Sequence, residues 1–185
     1  MTANTIKQFH GTTILAVRHQ GKVVMAGDGQ VTLNNIAIKH HARKVRSIYE
    51  DKILVGFAGA TADALNLSER LQAKLDRYNG NLTRSAVELA KDWRTDKYLR
   101  RLEALMIAVD NNITFLISGT GDVIEPDHGV VSIGSGSIAA QAAAMALIES
   151  TKMGAREIVE KSMKIASGLC VFTNDCLTIK ELIEA

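Results

Sequence analysis

Gly11-Thr12-Thr13 stands at the head of the first apolar run of the chain, behind a polar segment, Met1 to Gly11, that has no periodic pattern. A hydroxyl is a poor nucleophile at neutral pH, and no Ser–His–Asp arrangement is evident here to activate one. An α-amino group suits that task, because its ordinary pKa of about 7.7–8.0 is close to ambient pH. Cleavage after Gly11 would therefore place nucleophile and base within one residue, Thr12. Removal of Met1 would instead expose Thr2, a rival that lies ten residues upstream of the strand. By residue type alone, a Thr at the start of a strand is simply a β-former.

Other chemistries leave weaker traces. His40-His41 sits among Lys39, Arg43 and Lys44 with no carboxylate or Cys at ligand spacing, so it reads as a solvated basic turn. Cys170 and Cys176 form neither a disulfide framework nor a zinc spacing, and reduced thiols are expected. Gly134-Ser135-Gly136-Ser137-Ile138-Ala139 fits a dinucleotide fingerprint between a strand and a helix. The acidic residue expected about 20 positions later falls on Glu157, inside a helical pattern, so the run reads as a tight turn with close sheet–helix packing. No Gly-x-Ser-x-Gly elbow, phosphate-binding loop or His-Glu-x-x-His occurs.

These residues need elements to hold them. Thr13 to His19 and Lys22 to Gly27 flank Gln20-Gly21 as a hairpin. Lys44 to Tyr49 and Lys52 to Phe57 flank Glu50-Asp51 as a second, whose later strand is apolar enough to be buried on both faces. Ala64, Leu67, Leu71, Leu75 and Tyr78 give one helical stripe, ended by Asn79-Gly80. Ala86, Leu89, Ala90 and Trp93 give a second, with Thr83 as the expected cap and a charged stretch reaching Arg101. Strands follow over Ala104 to Val109, Ile113 to Ser118 and Val130 to Gly134. The third helix is expected to bury Ala139, Ala142, Ala143, Ala146 and Leu147. The fourth is expected to bury Ile158, Ser162, Ile165, Val159, Met163 and Ala166, with a strand over Cys170 to Thr173. Strands, two helices, strands, two helices, strand is not the alternation of a parallel doubly wound sheet. Two mostly antiparallel sheets packed face to face, each covered outside by a helix pair, would bury every stripe, an α+β fold of four layers.

Composition narrows the function classes. The 185 residues are 46% apolar and 23% charged, which suits one globular domain. Lys and Arg total 22 against 20 Asp and Glu, so no strong field favours nucleic acid or anionic lipid. One Trp, three Tyr and four Phe leave few platforms for stacking bases. No apolar run has the roughly 20 residues of a membrane span, and Met1 to Gly11 lacks the apolar core of a signal peptide. The expected location is cytoplasmic.

Six spaced motifs then carry a resemblance. Thr12-Thr13-Ile-x-x-Val, Gly27-Asp28-Gly29-Gln30, Arg43-Lys44-Val45, Gly56-Phe-Ala-Gly59-x-Thr-Ala-Asp63, Glu88-Leu-Ala-x-x-Trp-Arg94 and Ile133-Gly-Ser-Gly136 occur in the order of the HslV family of proteasome-like bacterial threonine peptidases. The chain resembles that family from Thr12 to its C-terminus, leaving 1–11 as an N-terminal extension or propeptide and 12–185 as the peptidase domain. The resemblance implies the αββα sandwich of the N-terminal-nucleophile hydrolases.

It further implies roles for residues. Thr12 is the expected nucleophile, and Lys44 the cation that lowers the pKa of the attacking amine and hydroxyl. Asp28 holds Lys44, the Gly59 amide donates to the oxyanion, and Ser135 relays a proton beside the Thr12 amine. A monovalent cation, sodium, is expected on the backbone carbonyls of Ser167, Cys170 and Thr173. The sequence there is Ser167-Gly168-Leu169-Cys170, where the family commonly has Gly and then an acidic residue before the hydrophobic–Cys pair. Two stacked hexameric rings, an HslU-type hexameric ATPase as partner and unfolded proteins as substrates complete the expectation. The alternatives are an N-terminal-nucleophile hydrolase acting on a small amide, and an inactive, precursor-like ring subunit.

Overall fold

The computed structural model describes residues 9–10, 12–59, 61–97 and 104–183. Its elements are β1 (Phe9–His10), β2 (Thr13–His19), β3 (Lys22–Gly27), β4 (Val31–Leu33), β5 (Ile36–Lys39), β6 (Val45–Ile48), β7 (Ile53–Ala58), α1 (Thr61–Arg77), α2 (Leu82–Thr95), β8 (Leu105–Val109), β9 (Thr114–Ser118), β10 (Val123–Ile124), β11 (Val130–Gly134), α3 (Ser137–Ser150), α4 (Ala155–Leu169) and β12 (Thr178–Ile183). Gln20 and Gly21 take φ of 50° and 70°, the left-handed pair that closes a two-residue hairpin between β2 and β3. Strands are ordered β11-β2-β3-β12 in one sheet and β10-β9-β8-β7-β6 in the other, all antiparallel. A small third sheet, β1-β4-β5, stands apart from these two.

The period-two alternation of the strands divides the core into three slabs. Ile14, Ala16, Val23 and Met25 point between the sheets, where they meet Val45, Leu54 and Ile107. Leu15, Val17, Val24 and Ala26 point outward to Ile158, Val159 and Met163 of α4 and Ala140 and Ala144 of α3. Across the molecule, Val55, Phe57, Met106 and Ala108 pack under Leu67, Leu71 and Leu75 of α1 and Leu89 and Trp93 of α2. The layers are therefore αββα, as the element order requires, and every residue of β7 is buried.

Several local readings need correction. Thr83 lies inside α2, and the cap is Asn81, whose Oδ1 accepts the Arg84 N–H at 2.9 Å. The α3 stripe is rotated, since Ala140 and Ala144 are buried while Ala142 and Ala146 are exposed. That helix is apolar on all sides, so its sequence contains no periodicity to choose a face. In α4, Ile165 is 46% exposed although its neighbours Met163 and Ala166 are buried. Cys170 to Thr173 is a turn, with Thr173 N donating to Cys170 O at 3.0 Å, and the last strand begins at Thr178. Strands β4 and β5 are an addition the sequence did not announce, because β5 is exposed at all four positions and shows no alternation. The stretch to Arg101 and the rival Thr2 lie outside the described residues. No helix among the described residues is long and apolar enough to cross a membrane.

Candidate active site

Asp28 is fully buried just beyond β3, and it ties one side of the Thr12 region together. Its Oδ1 accepts the Thr13 N–H at 2.7 Å and the Lys44 ammonium at 2.8 Å, and its Oδ2 accepts the Gln30 N–H at 2.9 Å. One oxygen thus joins the backbone next to Thr12 to the Lys44 Nζ, which lie no further apart than two hydrogen-bond lengths. Lys44 Nζ also donates to Gln30 O at 2.5 Å, and only 9% of its side chain is exposed. A carboxylate with three donors and an ammonium with two acceptors satisfy each other where neither would be stable alone.

Desolvation by burial is the main influence on Lys44 and lowers its pKa from the ordinary lysine value, while the charge and hydrogen bond of Asp28 oppose it. Lys44 therefore loses its proton at a lower pH than a surface lysine does. If the ammonium is what activity needs, hydrolysis falls on the alkaline side as pH rises through this lowered pKa, below the 10.5 of a free lysine. Asp28→Asn removes the opposing effect, so the alkaline limb shifts to lower pH still; a kcat profile from pH 6 to 11 on both proteins checks the order.

The other side of Thr12 is held by the turn between β11 and α3. Ser135 N donates to Thr12 O at 2.8 Å, and the Ser135 hydroxyl donates to the same oxygen at 3.3 Å. Ser135 thus engages the Thr12 carbonyl, whereas the resemblance implies a place beside the Thr12 amine. Gly136 N donates to Thr13 Oγ1 at 2.9 Å, and that hydroxyl pairs with Thr173 Oγ1 at 2.7 Å. Gly134 has φ 94°, and a Cβ there would collide with the Thr12 carbonyl. A Cβ on Gly136 would lie 2.6 Å from Thr13 Oγ1 and 2.8 Å from Thr173 Oγ1. The fingerprint-like glycines therefore bring a turn against Thr12 and Thr13, a packing role. Gly136→Ala should lower stability by about 1–3 kcal/mol, as overpacking does, and reduce turnover further by displacing Thr13; thermal unfolding and steady-state rates read the two effects separately.

Gly59 follows β7 and is exposed, with φ 140°. Phe57 N donates to Lys44 O at 3.3 Å, so Gly59 stands two residues beyond the strand's contact with Lys44. Two supports were missed by sequence reasoning. Gln30 supplies the carbonyl for Lys44, and its Nε2 donates to Thr32 Oγ1 and Val171 O, both at 2.9 Å. Asn174 accepts the Gly29 N–H at 3.0 Å and donates to His40 O at 3.0 Å, fixing the loop beyond Asp28. Both tie loop backbone to residues far away in the sequence, which leaves no spacing to read. His40 and His41 themselves are exposed.

Comparison with known proteins gives the same picture. The family model described as proteasome subunit matches residues 8–182. The "ATP-dependent protease subunit HslV" of Syntrophobacter fumaroxidans is 60% identical over 173 residues, covering 94% of this chain and 97% of that protein. Its namesake from Aquifex aeolicus is 60% identical over 171 residues, with 92% and 97% covered. Among solved structures, eukaryotic HslV from Trypanosoma brucei superposes with a TM-score of 0.88 at 47% identity, covering 92% of this chain and 99% of that one. Thiobacillus denitrificans BPH superposes with a TM-score of 0.71 at 15% identity, covering 94% and 98%, a likeness of fold. With a buried Asp28–Lys44 pair beside a Thr at the head of a strand, and with relatives matched along almost their whole length, the chain belongs to the proteasome family and, within it, to the HslV ATP-dependent protease subunits.

Proposed function

We propose that the chain acts as a threonine endopeptidase, the proteolytic subunit of an ATP-dependent protease, once residues 1–11 are removed. The observation that carries the residue roles is the single Asp28 oxygen shared by Lys44 and the Thr13 amide. In the processed chain the Thr12 α-amine takes the proton of the Thr12 hydroxyl as that oxygen attacks a substrate carbonyl. Lys44, held charged by Asp28, disfavours protonation of the amine and so keeps it a base. The Gly59 N–H faces the developing oxyanion. The amine then passes its proton to the leaving nitrogen, with the Ser135 hydroxyl as relay, and water releases the acyl group from Thr12 by the reverse sequence.

Before processing, the nitrogen of Thr12 is an amide and no such base exists. We infer that the Thr12 hydroxyl attacks the Gly11 carbonyl while water relays its proton to the Thr12 nitrogen, so that the Gly11–Thr12 C–N bond breaks and frees the amine, and that hydrolysis of the resulting ester releases residues 1–11 and restores the hydroxyl. The same reading includes a sodium ion. Ser167 lies in the last turn of α4, Cys170 caps that helix and Thr173 closes the turn after it. Helix-end carbonyls are left without intrahelical donors and stand at the negative end of the dipole, and oxygen donors suit a hard cation. Bound there, the ion would supply a fixed charge that stiffens the turn presenting the Thr173 hydroxyl to Thr13.

Two stacked hexameric rings, a hexameric HslU-type ATPase, unfolded protein substrates and a cytoplasmic location complete the proposal. The chain contains no phosphate-binding loop, so work on folded substrates must come from a partner that hydrolyses ATP. A resting and an active arrangement separated by a few kcal/mol would let partner binding alone shift the population. Hydrolysis of a short chromogenic peptide should rise when the ATPase and nucleotide are added, and degradation of a folded protein should require ATP hydrolysis. Equal rates under all conditions, or sedimentation as a monomer, would defeat the chambered reading.

A further inference from the structure

Asp28 and Lys44 reach each other from two loops, one that follows β3 and one that precedes β6. The loops touch through their backbones, where Ala42 N donates to Gly29 O at 2.9 Å. The Asn174 carboxamide bridges them from a third segment. Its Oδ1 accepts the Gly29 N–H at 3.0 Å, and its Nδ2 donates to His40 O at 3.0 Å. Asn174 is thus bonded to the residue after Asp28 and to a residue of the loop that leads into Lys44. The same Oδ1 accepts the Cys176 N–H at 3.3 Å, which fixes the carboxamide over its own turn. Space at the junction is tight, because a Cβ on Gly29 would collide with His40 O and lie 3.0 Å from Cys176 O. The residue before Asn174, the buried Thr173, pairs with Thr13 Oγ1 at 2.7 Å. Two successive residues after α4 therefore grip the strand that begins beside Thr12 and the two loops that bring the charges to it.

We propose that Asn174 is a positioning residue for the peptidase reaction: by clasping the Asp28 loop to the Lys44 loop, it sets where the ammonium stands relative to Thr12. This deepens the peptidase reading and rests on it for the reaction concerned. The position calls for an amide, since one end of the side chain must accept and the other must donate. An Asp there would still accept from Gly29 but would turn an oxygen towards the His40 carbonyl. An Ala would leave both backbone groups without this partner. Asn174 bonds to backbone groups of the loops, so its effect on rate passes through the placement of Lys44. Misplacing such a group slows the chemical step and spares substrate binding.

The test is a double-mutant cycle on the active protein, with a short chromogenic peptide as substrate. Asn174→Ala should lower kcat about tenfold and leave KM within about twofold. In a Lys44→Ala background the same substitution should lower kcat by less than about twofold, because the group that it places is already gone. An equal loss in both backgrounds is what a merely structural role would give, and it would overturn the proposal. So would a kcat in Asn174→Ala equal to that of the wild type. Asn174→Asp keeps the side-chain length and the Gly29 contact, should follow the same pattern, and serves if the alanine variant fails to fold. Amide hydrogen exchange in the full-length Thr12→Ala chain reads the clasp without hydrolysis. After Asn174→Ala the Gly29 and Ala42 amides should exchange faster, while those of β2 and β7 stay protected; unchanged exchange at Gly29 and Ala42 would also overturn the proposal. Absence of turnover in a wild-type chain beginning at Thr12 would count instead against the peptidase reading.

Discussion

Thr12→Ala is expected to lower peptide hydrolysis by about 10³-fold or more, with the fold intact. The substitution removes one hydroxyl and one methyl at a position that is 9% exposed. The bonds that hold this stretch of backbone come from Thr12 O, Thr13 N and Thr13 Oγ1, and all three survive. Unfolding should therefore shift by no more than about 1 kcal/mol. The rate falls because the hydroxyl next in sequence cannot take over: Thr13 is fully buried, with its Oγ1 committed to Thr173 and Gly136. Thr12→Ser retains nucleophile and base and should retain measurable turnover, which distinguishes loss of the hydroxyl from loss of shape. The variant should also keep residues 1–11, since the same oxygen is proposed to cut the bond before it. Steady-state rates with circular dichroism and intact mass decide the matter, and wild-type turnover in Thr12→Ala would remove Thr12 from the mechanism.

Lys44→Ala should lower kcat by at least about 10²-fold, with assembly unchanged. The loss is partly direct, through the missing cation. It is also indirect, because Asp28 is fully buried and would keep two backbone donors without a counter-charge. Lys44→Arg should fail as well. The ammonium fits between Asp28 Oδ1 at 2.8 Å and Gln30 O at 2.5 Å with 9% of the side chain exposed, and a planar guanidinium is too broad for that position. A double substitution, Asp28→Asn with Lys44→Met, should recover stability relative to Lys44→Ala, since no buried charge remains, yet recover no turnover. Thermal melts and kcat on the three variants separate the structural from the chemical contribution. Near wild-type rates in Lys44→Ala or Lys44→Arg would return Lys44 to a structural role.

What the sequence made legible was periodic or punctuated. The Gln20-Gly21 hairpin, the stripe from Leu67 to Leu75 and the doubly buried β7 were all readable because alternation, helical spacing and turn residues agree there. Helix α3 was misread in rotation because an all-round apolar helix takes its face from neighbours, here β2, β11 and α4. Strand β5 was invisible because exposed residues carry no alternation, and the Cys170–Thr173 turn was mistaken for a strand because Val171 and Phe172 are β-formers that tertiary context overrides. At the site, Thr12, Asp28, Lys44 and Ser135 were singled out by motif, and the structure brings them into one connected network. The roles that escaped lie in loops: Gln30 offers Lys44 its backbone carbonyl, where side-chain type predicts little, and the Asn174 side chain bonds the backbone of Gly29 and His40, partners that no sequence spacing marks.

In the proposed mechanism the working enzyme begins at Thr12, so that one residue supplies both hydroxyl and amine. Intact mass spectrometry of the purified protein, taken on the fraction whose peptide hydrolysis is measured in parallel, tests it most directly. Activity should rise in proportion to the species lacking residues 1–11, and material still carrying them should be inert. Full activity from a chain that retains Met1, or from one that begins at Thr2, would contradict it.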